Sequence, residues 1–288
     1  MRTRTVVTLG LAVVCISTGA PFARWAAPAP PIAIAALRVA MAAVLLLAAG
    51  WRDVPALKNV PGRDRPFVVL SGLLLALHFG SWIASLSFTS TAASVALVCT
   101  NPIFAALFGR VFLGDRVATR EVVGIAIAGV GCGVLAGGDW SAGGDALIGD
   151  GLALVGAASA AGYLVVGRRL RESVPLLPYL GAVNLIAAVA LGVVAVATGV
   201  DFGALDGRAY AGCAGAAIIA SFVGHSLLNA AVRVTPTHLV ALAILGEPIG
   251  SSLITWVWFG EQPPVHAAIG GAVVLVGIAF GFVRRRAS

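Results

Sequence analysis

The sequence predicts an all-α integral membrane protein: ten transmembrane helices in two inverted five-helix repeats, with both termini cytoplasmic. Three observations carry this. Only 11% of the 288 residues are charged and 59% are hydrophobic, against about 25% charged in an ordinary soluble domain. So few charges could not cover an aqueous core of this size. The apolar residues fall in runs of about 20, long enough to cross a bilayer as helices. The second half of the chain also resembles the first at a fixed offset of 146 residues.

The ten runs are roughly 5–24, 31–50, 67–87, 91–112, 121–137, 149–167, 178–199, 208–230, 236–259 and 265–283. Each is rich in Ala, Val, Leu, Ile and Gly. None alternates polar with apolar residues as a barrel strand would. A helix satisfies its own backbone hydrogen bonds in lipid, so helices are expected. The first run, MRTRTVVTLGLAVVCISTGA, also has the basic start and apolar stretch of a secretory signal. The repeat needs it as a helix, and it is kept as one.

Orientation follows from Lys and Arg, which gather on the cytoplasmic side. With the N-terminus inside, the clusters at 2–4, 52–65, 110–120, 168–171, 233 and 284–286 are all cytoplasmic and hold 16 of the 19 basic residues. Only Arg24 and Arg208 fall outside, and Arg38 lies within a run. Asp139, Asp145, Asp150, Asp201, Asp206 and Glu261 mark the outer loops. The net charge of +7 and pI of about 10.1 therefore reflect membrane topology. Basic residues at the ends of apolar runs, without a basic stripe or interleaved aromatics, exclude nucleic acid as a partner.

The repeat is read by laying NPIFAALFGRVFLGD (101–115) over EPIGSSLITWVWFGE (247–261). Pro102 meets Pro248, Leu107 meets Leu253, Val111 meets Val257, Gly114 meets Gly260 and Asp115 meets Glu261. The same offset pairs Thr89 with Thr235, Thr91 with Thr237, Gly124 with Gly270 and Gly131 with Gly277, with no gap. Five spans per half force the halves into opposite orientation. Secondary transporters are commonly built this way, with the site near the midplane between the repeats.

A five-plus-five chain with an Arg in its second helix, and with 102-PIFAALFGRVFLGD-115 and 248-PIGSSLITWVWFGE-261 closing helices four and nine, resembles the drug/metabolite transporter superfamily, EamA type. The resemblance covers nearly the whole chain. It implies a first repeat over 1–137, an outer connecting loop over 138–148 and a second repeat over 149–288. It also implies a transporter, mostly an exporter of amino acids, other small metabolites or drugs, and leaves the substrate unnamed.

Glu247 opens the EPIG stretch deep in an apolar run. A carboxylate there costs on the order of 3 kcal/mol and persists only if it is paired, protonated or facing water. It is read as a site for proton coupling or for a substrate amine, against a carboxyl that caps broken backbone beside Pro248. Its repeat partner, Asn101, cannot ionise. Arg38 sits about 10 Å into the second run at 1.5 Å per residue, and is read as a structural or gating ion-pair partner or as a ligand for a substrate carboxylate. Its partner is Asn184. His78 and Trp82 share one helix face at a spacing of four, as do His225 and Asn229. Two imidazoles facing each other suit a central cavity; the alternative is histidines satisfied by interhelical hydrogen bonds.

The remaining polar and aromatic positions read more plainly. His238 is expected to be a solvated helix-end residue. Trp256 and Trp258 read as an interface belt, and Trp140 as part of a Gly-rich outer loop. Gly124, Gly129, Gly131 and Gly133, with Gly270, Gly271 and Gly277, form small-residue faces for close helix packing. Cys15, Cys99, Cys132 and Cys213 stand alone in apolar runs and suit no metal spacing. No catalytic template is present: no HExxH, no GxSxG, no P-loop and no paired carboxylates.

The reading is a secondary active transporter that exports a small polar metabolite, amino acid-like or drug-like, across the inner membrane by alternating access. The lipid bilayer and the metabolite are the expected partners. A proton is the candidate coupling ion, a homodimer is left open, and no cofactor or metal is expected. An uncoupled facilitator or importer on the same fold is the alternative, and a membrane-embedded scaffold or lipid-modifying protein the remote one.

Overall fold

A computed structural model describes residues 3–89, 94, 97–136, 144–170, 174–260, 262 and 265–282. Every regular element among them is helical. Of the positions singled out above, Arg2, Thr91, Asp139, Trp140, Arg171, Glu261 and residues 284–286 lie outside the described residues.

The first half contains α1 (Thr3–Ile16), α2 (Gly19–Trp25), α3 (Pro31–Ala49), α4 (Arg65–Ser85), α5 (Asn101–Leu113) and α6 (Thr119–Ala136). The second contains α7 (Gly144–Leu170), α8 (Leu176–Ala197), α9 (Gly207–Gly215), a π-helical segment (Ala216–His225), α10 (Ser226–Ala231), α11 (Thr237–Ile244), α12 (Glu247–Phe259) and α13 (Val265–Phe282). Proline occupies the first turn of α3, α4, α5 and α12, where its missing N–H would have no helical partner anyway. Glycine ends α5 and α12 in the left-handed region, Gly114 at φ 68° and Gly260 at φ 71°, a conformation glycine adopts without steric cost.

Among the described residues seven helices are long and apolar enough to cross a membrane, and Asn101–Leu113 and Ala268–Phe282 are shorter apolar helices. The outer surface is apolar too. Val111 and its repeat partner Val257 are 65% and 78% exposed, which suits lipid and not water.

The two halves match element by element. The offset of 146 carries the bounds of α5 onto those of α12 and the bounds of α6 onto those of α13, residue for residue. Their packing is reciprocal. α4 lies on α7 as the segment 207–231 lies on α1, while α3 packs on its own equivalent α8 and α6 on its own equivalent α13. A Cβ on Gly124 would stand 2.8 Å from the Gly277 carbonyl oxygen, and one on Gly131 2.8 Å from that of Gly270. Advancing along α6 thus retreats along α13, so these equivalent helices run antiparallel. Gly181 facing Leu47 and Gly50 facing Leu177 give the same sense for α3 and α8. The halves are related by an approximate two-fold axis.

Two runs depart from a regular helix, and one expectation is corrected. The run 5–24 is one span, Arg4–Trp25, bent at Ser17 and Thr18, whose hydroxyls donate back to the Val13 and Cys15 carbonyls at 2.7 Å each, a bond that bends helices. Its equivalent α7 is continuous. The run 208–230 is wound as a π-helix in its middle, whereas its equivalent α4 is α-helical throughout. Finally, the glycine faces are partly correct: Gly124, Gly131, Gly270 and Gly277 meet between α6 and α13, but a Cβ on Gly129 or Gly133 would meet nothing within 4 Å. Those two glycines point away from the contact.

Candidate functional site

A cavity of about 60 Å³ lies between the halves and takes its walls from both. α1 and α2 contribute Ile16 and Ala20, α3 contributes Arg38, and α4 contributes His78, Phe79 and Trp82. α7 adds Ala160, Tyr163 and Leu164, and the 216–231 stretch adds His225 and Leu228. Asn101 and Glu247 enter as the first residues of α5 and α12. Both helices follow a two-residue break, at 99–100 and at 245–246. Their N-terminal ends, which carry partial positive charge, therefore reach the cavity from the two repeats.

Six of the eight residues expected at a site are brought together here: Arg38, His78, Trp82, Asn101, His225 and Glu247. Asn184 and Asn229 are not among them. The Asn184 amide donates to the Leu180 carbonyl of its own helix at 2.9 Å. Asn229 donates to the Tyr163 hydroxyl at 2.8 Å and to the His225 carbonyl at 2.9 Å, so it braces α10 against α7 behind the cavity wall.

Arg38 is 2% exposed. Its Nε donates to the Ser221 Oγ at 2.8 Å, and its guanidinium lies over the Phe79 ring at 4.2 Å from the centroid, a cation–π arrangement. Arg38 and Glu247 share the cavity, yet the ion pairs of the described residues are formed elsewhere, at Arg168–Asp115, His238–Glu121 and Arg120–Glu121 among others.

His78 Nδ1 lies 2.9 Å from the Gly156 carbonyl. A carbonyl only accepts, so this nitrogen carries the hydrogen. The imidazole stacks on Trp82, interplanar angle 4° and centroids 6.1 Å apart. Phe79 meets His225 edge-on at 5.6 Å. These two are repeat equivalents, so their contact marks the two-fold axis inside the cavity. Two buried polar atoms at the cavity have no hydrogen-bond partner among the described residues, Trp82 Nε1 and Asn101 Oδ1. An unpaired N–H and an unpaired carbonyl beside a cavity are places where a ligand or water would complete the bonding.

His238 corrects its expectation. It is 1% exposed, and its Nε2 lies 3.1 Å from Oε2 of the buried Glu121 on α6, which also accepts from the Ala118 N–H at 2.7 Å. Burial of α11 between α5 and α13 takes the helix end out of solvent. Reasoning from the sequence also missed Ser221, Phe79 and Tyr163. A lone serine or aromatic in an apolar run carries no signal of its own. The repeat offset alone hinted at Phe79, by placing it opposite His225.

The architecture defines a multi-pass helical membrane protein with a cavity shared by two internal repeats. Residues 3–137 and 147–283 each match the EamA-like transporter family, and the chain belongs to that family, within the drug/metabolite transporter superfamily. A solved structure titled "Crystal structure of protein" shares the fold, with a TM-score of 0.83 at 20% identity over 98% of this chain and 97% of its own. No curated protein matches the chain significantly.

Proposed function

We propose that the protein is a secondary active transporter that exports a small amphoteric metabolite, amino acid-like, across the inner membrane. Ten spans form two inverted repeats, 1–137 and 149–288, joined by an outer loop at 138–148, with both termini cytoplasmic. Transport proceeds by alternating access about the cavity. One observation supports this above the rest: Arg38 and Glu247 line one cavity without pairing, beside an unpartnered N–H of Trp82 and an unpartnered carbonyl of Asn101. A guanidinium suits a substrate carboxylate and a carboxylate suits an ammonium group. The apolar walls of Phe79, Leu164 and Leu228 suit the body between them. Glu247 couples export to protons by exchanging substrate ammonium for a proton.

The test is metabolite export from cells overexpressing the wild type or Glu247→Gln at equal membrane abundance, with the medium followed by mass spectrometry. An amphoteric compound that rises with the wild type, and at least ten-fold less with the variant, is the expected result; a ten-fold change corresponds to about 1.4 kcal/mol. Equal export by both would remove Glu247 from the mechanism. A medium unchanged from that of control cells would remove export. Accumulation against a gradient separates this reading from an uncoupled facilitator on the same fold.

A further inference from the structure

We infer that Ser221 is a positioning residue: it holds the Arg38 guanidinium edge-on to the cavity, so that Nη1 and Nη2 form a two-pronged seat for a carboxylate. The inference rests on the proposed function and names the part of the site that would select the anionic end of the substrate. Two contacts fix the guanidinium. Ser221 is 4% exposed and accepts from Nε at 2.8 Å. Phe79 covers one face of the plane. At the Nη end even a Cβ on Gly19 would stand 3.4 Å from Nη1 and 3.6 Å from Nη2, so the glycine leaves that end uncrowded. With Nε spent on Ser221, Nη1 and Nη2 donate to no described residue while Arg38 lines the cavity. An arginine held by Nε presents its two Nη groups together, which is the geometry that grips the two oxygens of a carboxylate.

The two-fold relation strengthens the assignment, because the device exists in one repeat only. The equivalent of Arg38 is Asn184, whose amide is spent on Leu180, and the equivalent of Ser221 is Leu75, a buried core residue. Ser221 also lies inside the π-wound segment Ala216–His225, whereas α4, which carries Leu75, is regular. Wide turns of this kind recur at functional sites because they re-aim side chains. Here the departure from helical regularity coincides with the residue that meets Arg38.

The test uses the purified full chain and two probes of the same shape, benzoate and benzamide, with binding read by quenching of tryptophan fluorescence. The wild type is expected to prefer benzoate, and Arg38→Gln to abolish the preference. Ser221→Ala is expected to weaken benzoate roughly ten-fold, as loss of a hydrogen bond to a charged group does, and to leave benzamide within two-fold. Ser221→Thr keeps a hydroxyl and is expected to restore the preference. A general loss of packing would weaken both probes alike, so the benzoate-to-benzamide ratio separates positioning from structure. If Ser221→Ala keeps the wild-type ratio, the role of Ser221 is overturned and the anion seat at Arg38 stands. If the wild type itself shows no preference and Arg38→Gln changes nothing, the anion reading falls and the inference with it.

Discussion

Asn101 and Glu247 hold equivalent places, each first in its helix and each followed by proline, and both reach the cavity; one ionises and the other does not. The sequence alone made both visible, because a polar residue in an apolar run stands out. It could not show what satisfies such a residue. His238 was read as a solvated end because its neighbours in the chain are threonine and proline. Its partner Glu121 is 117 residues away, and only the packing of α11 brings them together. This pair supplies a prediction at the scale of single residues. His238→Leu and Glu121→Ala should each lower stability by about 1–3 kcal/mol, since each strands a buried polar group, and the double variant should cost less than the sum of the two. Thermal unfolding of the purified protein measures this. Additive effects would show that the contact is not energetically coupled.

At the scale of elements, the existence of the helices was legible, but of their interruptions only the one beside Pro248 was. Apolar residues on every face erase the helical period that would betray a break, so the bend between α1 and α2 and the π winding of Ala216–His225 left no pattern. The glycines of α6 and α13 were legible as a small-residue face, but not by position along it. Substitution distinguishes them. A Cβ on Gly277 would stand 2.5 Å from the Ala128 nitrogen, a backbone atom that cannot move aside, so Gly277→Ala should destabilise by about 1–3 kcal/mol. Gly129→Ala and Gly133→Ala meet open space and should be neutral or stabilising by up to about 1 kcal/mol, the helix-propensity difference between the two residues. Unfolding of the three variants side by side checks this; a destabilised Gly133→Ala with an unaffected Gly277→Ala would contradict the packing.

For the whole molecule, the repeat was the most legible feature, because a gap-free offset survives where individual motifs are weak. Matching bounds of α5 with α12 and of α6 with α13 bear it out. The shared cavity was less legible, since it depends on which faces the helices turn to one another. The topology proposed from the arginines makes a prediction at this scale. Single cysteines introduced at Lys58 and at Gly203, in a background without the native cysteines, should react with a membrane-impermeant thiol reagent from opposite sides: Lys58→Cys only from the cytoplasmic face, Gly203→Cys only from the outer face. Labelling of both from one side would refute the proposed orientation.

The edge-on contact of Phe79 with His225 has a geometric consequence. A contact between two equivalent positions is its own image under the two-fold operation. In any rearrangement that exchanges the conformations of the two halves, a contact off the axis trades places with its counterpart, but a contact on the axis, such as this one, maps onto itself. Under the alternating access proposed above, Phe79 and His225 would lie at the pivot, in contact on the axis between the halves.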